Sequence, residues 1–154
     1  FCTVSMPHRP EWKFFFFCHK AALEKDGIEL FLLRNMSRGK GVGFFEAGNF
    51  HPDFILWMLI GGKQYVTFIE PHGLLHEGPA SEKVLFHKRI KDVEQRLKDP
   101  TVILNSFILS WTRYPQLKWD NTQDELEEMH VLFMTNDRDR YIDKLFARLR
   151  GMVK

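Results

Sequence analysis

The clearest local signal is a pair of strand-like runs, Phe54 to Ile60 and Lys63 to Ile69, held apart by Gly61-Gly62. Two glycines between such runs predict a tight β-hairpin, because the favoured two-residue turns need positive φ, which glycine adopts without strain. Ile28 to Leu33 reads as a further buried strand that runs into a polar turn, Asn35 to Lys40, and Gly41 to Phe45 reads as a short one. Val102 to Trp111 is almost continuously apolar, the pattern of a central strand covered on both faces, so helices are expected on either side of it. His130 to Met134 is a last short strand.

Helical spacing takes over elsewhere. Phe86, Ile90, Val93 and Leu97 share one face of a helix that Ser81 can cap and Pro100 ends. Tyr141, Ile142, Leu145 and Leu149 line the inner side of a final helix, Arg138 to Arg150, and Asp124 to Glu128 makes a short acidic helical turn. Glu11 to about Lys25 reads as a helix closed by Asp26-Gly27, although Phe14 to Phe17 within it suits a strand equally well. Strands and helices intermix without repeats or a Pro, Gly or Ser linker, so an α/β fold in a single domain over residues 1–154 is expected.

Composition narrows the function. With 44% hydrophobic residues, 15 Phe and 4 Trp, the chain can bury a core that a disordered tail could not. A formal charge of +2 gives no overall field, so any charged ligand must be steered by local patches. Two cysteines, Cys2 and Cys18, suit a reducing cytosol better than a disulfide scaffold. The longest unbroken apolar run, Phe54 to Ile60, is far shorter than the roughly 20 residues that cross a bilayer, and nothing resembles a signal peptide. No membrane partner is expected. A start at Phe rather than Met reads as a piece of a larger chain.

The hairpin brings the chemistry with it. If Gly61-Gly62 is the whole loop, Ile60 faces Lys63, and counting outward places Asp53 opposite Glu70 and His51 opposite His72. Opposed residues point to the same face with Cα atoms about 4.5 to 5.5 Å apart, so these four side chains would cluster at the end remote from the turn. Two facing carboxylates repel unless something neutralises them. A hard divalent cation such as Mg²⁺ takes carboxylate oxygens and keeps waters of its own. The other reading of such a pair is a solvated edge tied up by Lys and Arg.

Pro52-Asp53, followed by Glu70-Pro71-His72 at the end of the next strand, resembles the PD…(D/E)xK signature of the restriction-endonuclease-like nucleases. The strings Leu32 to Phe45 and Asn49 to Trp57, with Phe68 to Leu74, Ile90-Lys91 and Leu104 to Ser110, are similar to the C-terminal nuclease domain of type III restriction subunits and related DEAD/DEAH-box helicases. The likeness covers roughly residues 28 to 146. It implies a restriction-endonuclease-like core, a mixed central sheet flanked by helices, that cuts duplex DNA in bacterial restriction or anti-phage defence. It also implies Mg²⁺, or Mn²⁺ in its place, on Asp53 and Glu70, with a helicase or ATPase portion and other defence subunits as partners in the cytoplasm. The chain itself has no Gly-rich phosphate loop and cannot be the motor.

One position departs from the pattern: His72 stands where that family carries Lys. A Lys ammonium is a fixed cation at neutral pH, whereas imidazole can act as a neutral base or a metal ligand. The catalytic set expected is therefore Asp53, Glu70 and His72, with Glu11, in competition with Glu24, as the acid that the superfamily adds from its first helix; the other reading of Glu11 is an exposed helix-start Glu favoured by the macrodipole. Arg34, Arg38 and Lys40 around a Gly-rich turn, and Lys83 and Lys88 on the helix after the site, are the candidate DNA contacts, holding phosphates without reading bases. The acids Asp120, Asp124, Glu125, Glu127 and Glu128 form an opposite pole, turned from DNA or toward a protein. Trp111, Tyr114 and Trp119 mark a loop that either stacks on bases or a partner or packs beneath itself. His8, His19, His76, His87 and His130 show no HxH or HExxH spacing, which speaks against structural zinc. Two alternatives remain: a catalytically inactive DNA-binding or docking module of the same fold, and a zinc or manganese hydrolase built on His51 and His72.

Overall fold

The structure is a computed structural model, and it describes residues 19–36, 41–44, 50–137 and 140–153. A helix, α1, is present over residues 19–25. Then come β1 (Glu29–Arg34), β2 (Phe54–Ile60), β3 (Lys63–His72), α2 (Glu82–Leu97), β4 (Val102–Ser110), α3 (Gln123–Glu128), β5 (Val131–Phe133) and α4 (Tyr141–Gly151). The strands lie in one sheet in sequence order. β1, β2 and β3 are antiparallel, whereas β3, β4 and β5 run parallel, so the chain is α/β with a mixed sheet flanked by helices.

The hairpin turns on Gly61 and Gly62, both at positive φ, 56° and 79°, and this sets Ile60 against Lys63 and Phe54 against Ile69. The central apolar run is β4, which pairs with β3 on one side and β5 on the other. One face of the sheet carries α2, with Phe86 and Ile90 against Phe68 and Leu104. The opposite face sets Leu56, Tyr65, Ile69 and Phe107 against Leu23 of α1 and Leu145, Phe146 and Leu149 of α4. His19 joins the two helices there, 2.7 Å from Asp143 and stacked on Phe146.

Local chemistry explains the boundaries. Ser81 caps α2 by accepting the Val84 N–H, and Lys98, at φ 52°, ends it in the left-handed conformation before Pro100 is reached. Leu97, expected inside, falls in that last turn and is exposed. The short strand expected at Gly41 to Phe45 reduces, among the described residues, to a single bridge between Phe44 and Phe50. The reason is Asn35: its amide takes both the N–H and the C=O of Val42, leaving neither for a ladder. The acidic pole is partly structural too. Glu125 closes a capping box with Thr122, while the buried Glu127 holds Lys144 at 2.6 Å.

His130 carries a pH liability. It sits at φ 61°, stacks on Phe107 and places Nδ1 2.8 Å from the Ser106 carbonyl. Burial, with the nearby His87, Arg148 and Lys91 adding to it, pushes its pKa down to about 4. The unfolded chain takes up this proton below about pH 6.5, so His130 costs the fold nothing above that pH and up to about 3 kcal/mol near pH 4. His130→Asn, which tolerates positive φ, is expected to flatten the acid limb of a melting-temperature profile; an unchanged limb would show that His130 does not produce it.

Candidate active site

Glu70 lies two residues before the end of β3, on the α2 face of the sheet, as its register with Ile108 and the packing of Ile108 with Val84 require. The ladder between β2 and β3 stops at Phe54 and Ile69, and Asp53 follows as a bend. The backbone N–H of Asp53 then donates to Glu70 Oε2 at 3.3 Å. Asn35 holds this bend in place, since its side chain donates to the Pro52 carbonyl and its N–H donates to the Asp53 carbonyl, both at 2.8 Å.

Glu70 is only 8% exposed. Its pKa is raised to about 7, first by burial and then by the charge of Asp53; Lys83 and the Asp53 N–H oppose the rise. The pair is thus short of positive charge. Lys83, in the first turn of α2, stands 3.7 Å from Glu70 Oε1, and His72 Nδ1 lies 3.9 Å from the same oxygen. His72 meets the Glu77 carboxylate through Nε2 at 3.1 Å, and the Lys83 ammonium stands 3.3 Å from Nδ1 and 3.2 Å from Nε2. The loop bearing Glu77 is fastened by Leu74 N–H to Thr112 Oγ1 at 2.9 Å and by Trp119 Nε1 to the Glu77 carbonyl at 3.2 Å.

Compared with protein-family models, curated proteins and solved structures, the chain matches none. The chemistry of the site therefore stands on its residues.

The Glu70 carboxylate receives the Asp53 backbone N–H and is approached by His72 and Lys83, and the last of these was expected at a DNA surface. Lys88 lies further along α2, exposed, with its charge bearing on His87. Arg34 is exposed and opposite Phe54, so it shares the face of Phe54 and not that of Glu70. Glu11, Arg38 and Lys40 lie outside the described residues. His51 does not extend the ladder to His72. Pro52 has no N–H to contribute, and the ring of His51 rests against Gly43, where a Cβ would collide with it. Glu77 and Asn35 were missed as parts of the site. Glu77 follows β3 by five residues in a loop whose course no periodicity reveals, whereas Asn35 stood within a polar turn and its reach depends on the tertiary fold.

Two carboxylates with hard oxygen donors, one of them buried and pushed toward protonation by the other, suit a Mg²⁺ or Mn²⁺ ion that brings its own waters. Among the described residues no three His, Cys, Asp or Glu side chains converge as a complete metal cage. No helix among them is long and apolar enough to cross a membrane.

Proposed function

We propose that the chain is a restriction-endonuclease-like nuclease domain that hydrolyses DNA phosphodiester bonds with Mg²⁺, or Mn²⁺, at Asp53 and Glu70. The observation that carries this reading is the buried Glu70 carboxylate near the end of β3, which receives the backbone N–H of Asp53, feels that residue's charge, and is approached by Lys83 and His72. When bound, the ion would supply a Lewis acid that makes its water a nucleophile at neutral pH and offsets negative charge on the phosphoryl oxygens. Asp53 and Glu70 would hold it. His72, oriented by Glu77, would take a proton from the attacking water at Nδ1 once the Lys83 ammonium beside it turns to the phosphate. Lys83 supplies the fixed positive charge that His72 does not, and it holds a non-bridging phosphate oxygen as negative charge builds there. Coupling to a helicase or ATPase portion and a place in cytoplasmic defence belong to this reading through the family likeness alone.

Asp53→Ala is expected to abolish Mg²⁺-dependent nicking of plasmid and of single-stranded circles while melting normally; undiminished cutting by that variant would sink the assignment. A silent DNA-binding module of the same fold is the second reading. His72, in the position where the family carries Lys, favours it. DNA binding without cleavage by wild type, and by His72→Lys, would establish it.

A further inference from the structure

Three aromatic residues follow β4, and the fold treats them differently. Tyr114 packs edge-on against Phe133 and its hydroxyl donates to the Asn121 carbonyl. Trp119 packs into the same cluster and spends its indole N–H on the Glu77 carbonyl. Trp111 is 55% exposed. A large indole left in water beside a polar site is a feature to explain, because packing accounts for its two neighbours and not for it.

The indole of Trp111 lies over Gly73, and the residue's carbonyl accepts from Thr135 Oγ1 at 3.3 Å. Gly73 does not have positive φ, so the backbone does not require glycine there. A Cβ at Gly73 would stand 2.5 Å from Trp111 Nε1, so the indole itself requires the bare position. The ring then stands 6.3 Å from the His72 ring, at the C-terminal ends of the parallel strands β3 and β4, where His72 and Ser110 are paired. Parallel sheets bind ligands at that end.

We infer that Trp111 is a stacking platform for an unpaired nucleobase next to the phosphate held at Asp53 and Glu70, so that the substrate is single-stranded or locally unpaired DNA. The inference rests on the nuclease reading of the acid pair. Inside a duplex each base face is covered by its neighbours, and an indole has nothing to cover; a single strand, a frayed end or a flipped base offers a free face. Lys83, which also reaches His72, supplies the phosphate contact and Trp111 the base contact, the combination by which single strands are held without sequence preference.

The test measures binding of a fluorescein-labelled oligothymidylate and of a blunt duplex to the full chain, in Ca²⁺ to block cleavage. Trp111→Ala is expected to lose about tenfold in affinity for the single strand and little for the duplex, with Trp111→Phe close to wild type. Gly73→Ala, which displaces the indole without removing it, is expected to reproduce the loss. Oligonucleotides with successive abasic positions should show one position that costs wild type about as much and costs Trp111→Ala nothing more. Equal single-strand affinity of wild type and Trp111→Ala, or an equal loss on the duplex, would overturn the platform. Cleavage in Mg²⁺ separates the two claims. A protein that never cuts yet keeps the Trp111 effect retains the platform and loses the nuclease, whereas one that cuts single strands equally well with and without Trp111 loses the platform alone.

Discussion

Glu70→Gln is expected to reduce Mg²⁺-dependent cleavage at least about a hundredfold and, in the same protein, to raise the stability of the metal-free fold above neutral pH. Both effects have one cause. The Glu70 carboxyl is buried beside Asp53 and its pKa rises from 4.5 to about 7. The folded state therefore holds a proton that the unfolded chain gives up between these values. Stability is greatest below pH 4.5 and falls as pH rises to 7, by up to about 3 kcal/mol, and above pH 7 this deficit is constant. Gln keeps an oxygen for the Asp53 N–H and carries no charge, so the variant should melt higher than wild type at pH 8 and near it at pH 4.5. Equal melting at pH 8 would show that Glu70 is not under strain from its surroundings. A divalent ion should act on the wild type as the substitution does, raising its melting temperature and leaving Glu70→Gln unmoved.

Between about pH 6.5 and 4.5, His130 works in the opposite sense, losing stability as pH falls while Glu70 gains it. The wild type should look nearly indifferent to pH across that window, and each substitution should unmask the other group.

Lys83→Ala is expected to lower the turnover number by about 10² to 10³, whereas Lys88→Ala should leave it within a few-fold and only weaken DNA binding. The difference follows from position on α2. Lys83 lies in the first turn and reaches Glu70 Oε1 and both ring nitrogens of His72, so its ammonium is where negative charge develops. Lys88, five residues on, is turned elsewhere and exposed, and it contributes a general attraction to phosphates that salt screens. Lys83→Arg should recover part of the rate, and the salt dependence of binding should shrink by about one counterion for Lys88→Ala. A loss of equal size in both variants, confined to binding, would return Lys83 to the surface role.

These residues also show how far sequence reaches. A two-glycine turn between apolar runs fixes a hairpin register as far as Phe54 and Ile69, because strand pairing has a strict period, and Asp53 then sits beside Glu70 just past the last pair. The ladder does not continue through Asp53 to His51, where Pro52 has no N–H to give and Asn35 captures the backbone. Lys83 was legible as a cation but not as part of the site, since its reach depends on how α2 lies across the sheet. Trp111 could not be told from Tyr114 and Trp119 until their partners were visible, for exposure is a property of the packed chain.

The central claim is that Asp53 and Glu70 together hold a divalent ion. Titration of Mn²⁺ into the protein, followed by the paramagnetic resonance of the free ion, tests it most directly. Wild type is expected to bind Mn²⁺ and release it to excess Mg²⁺, with Asp53→Ala and Glu70→Gln both losing the site while remaining folded. Binding of the same strength in all three proteins, or none in the wild type, would contradict it.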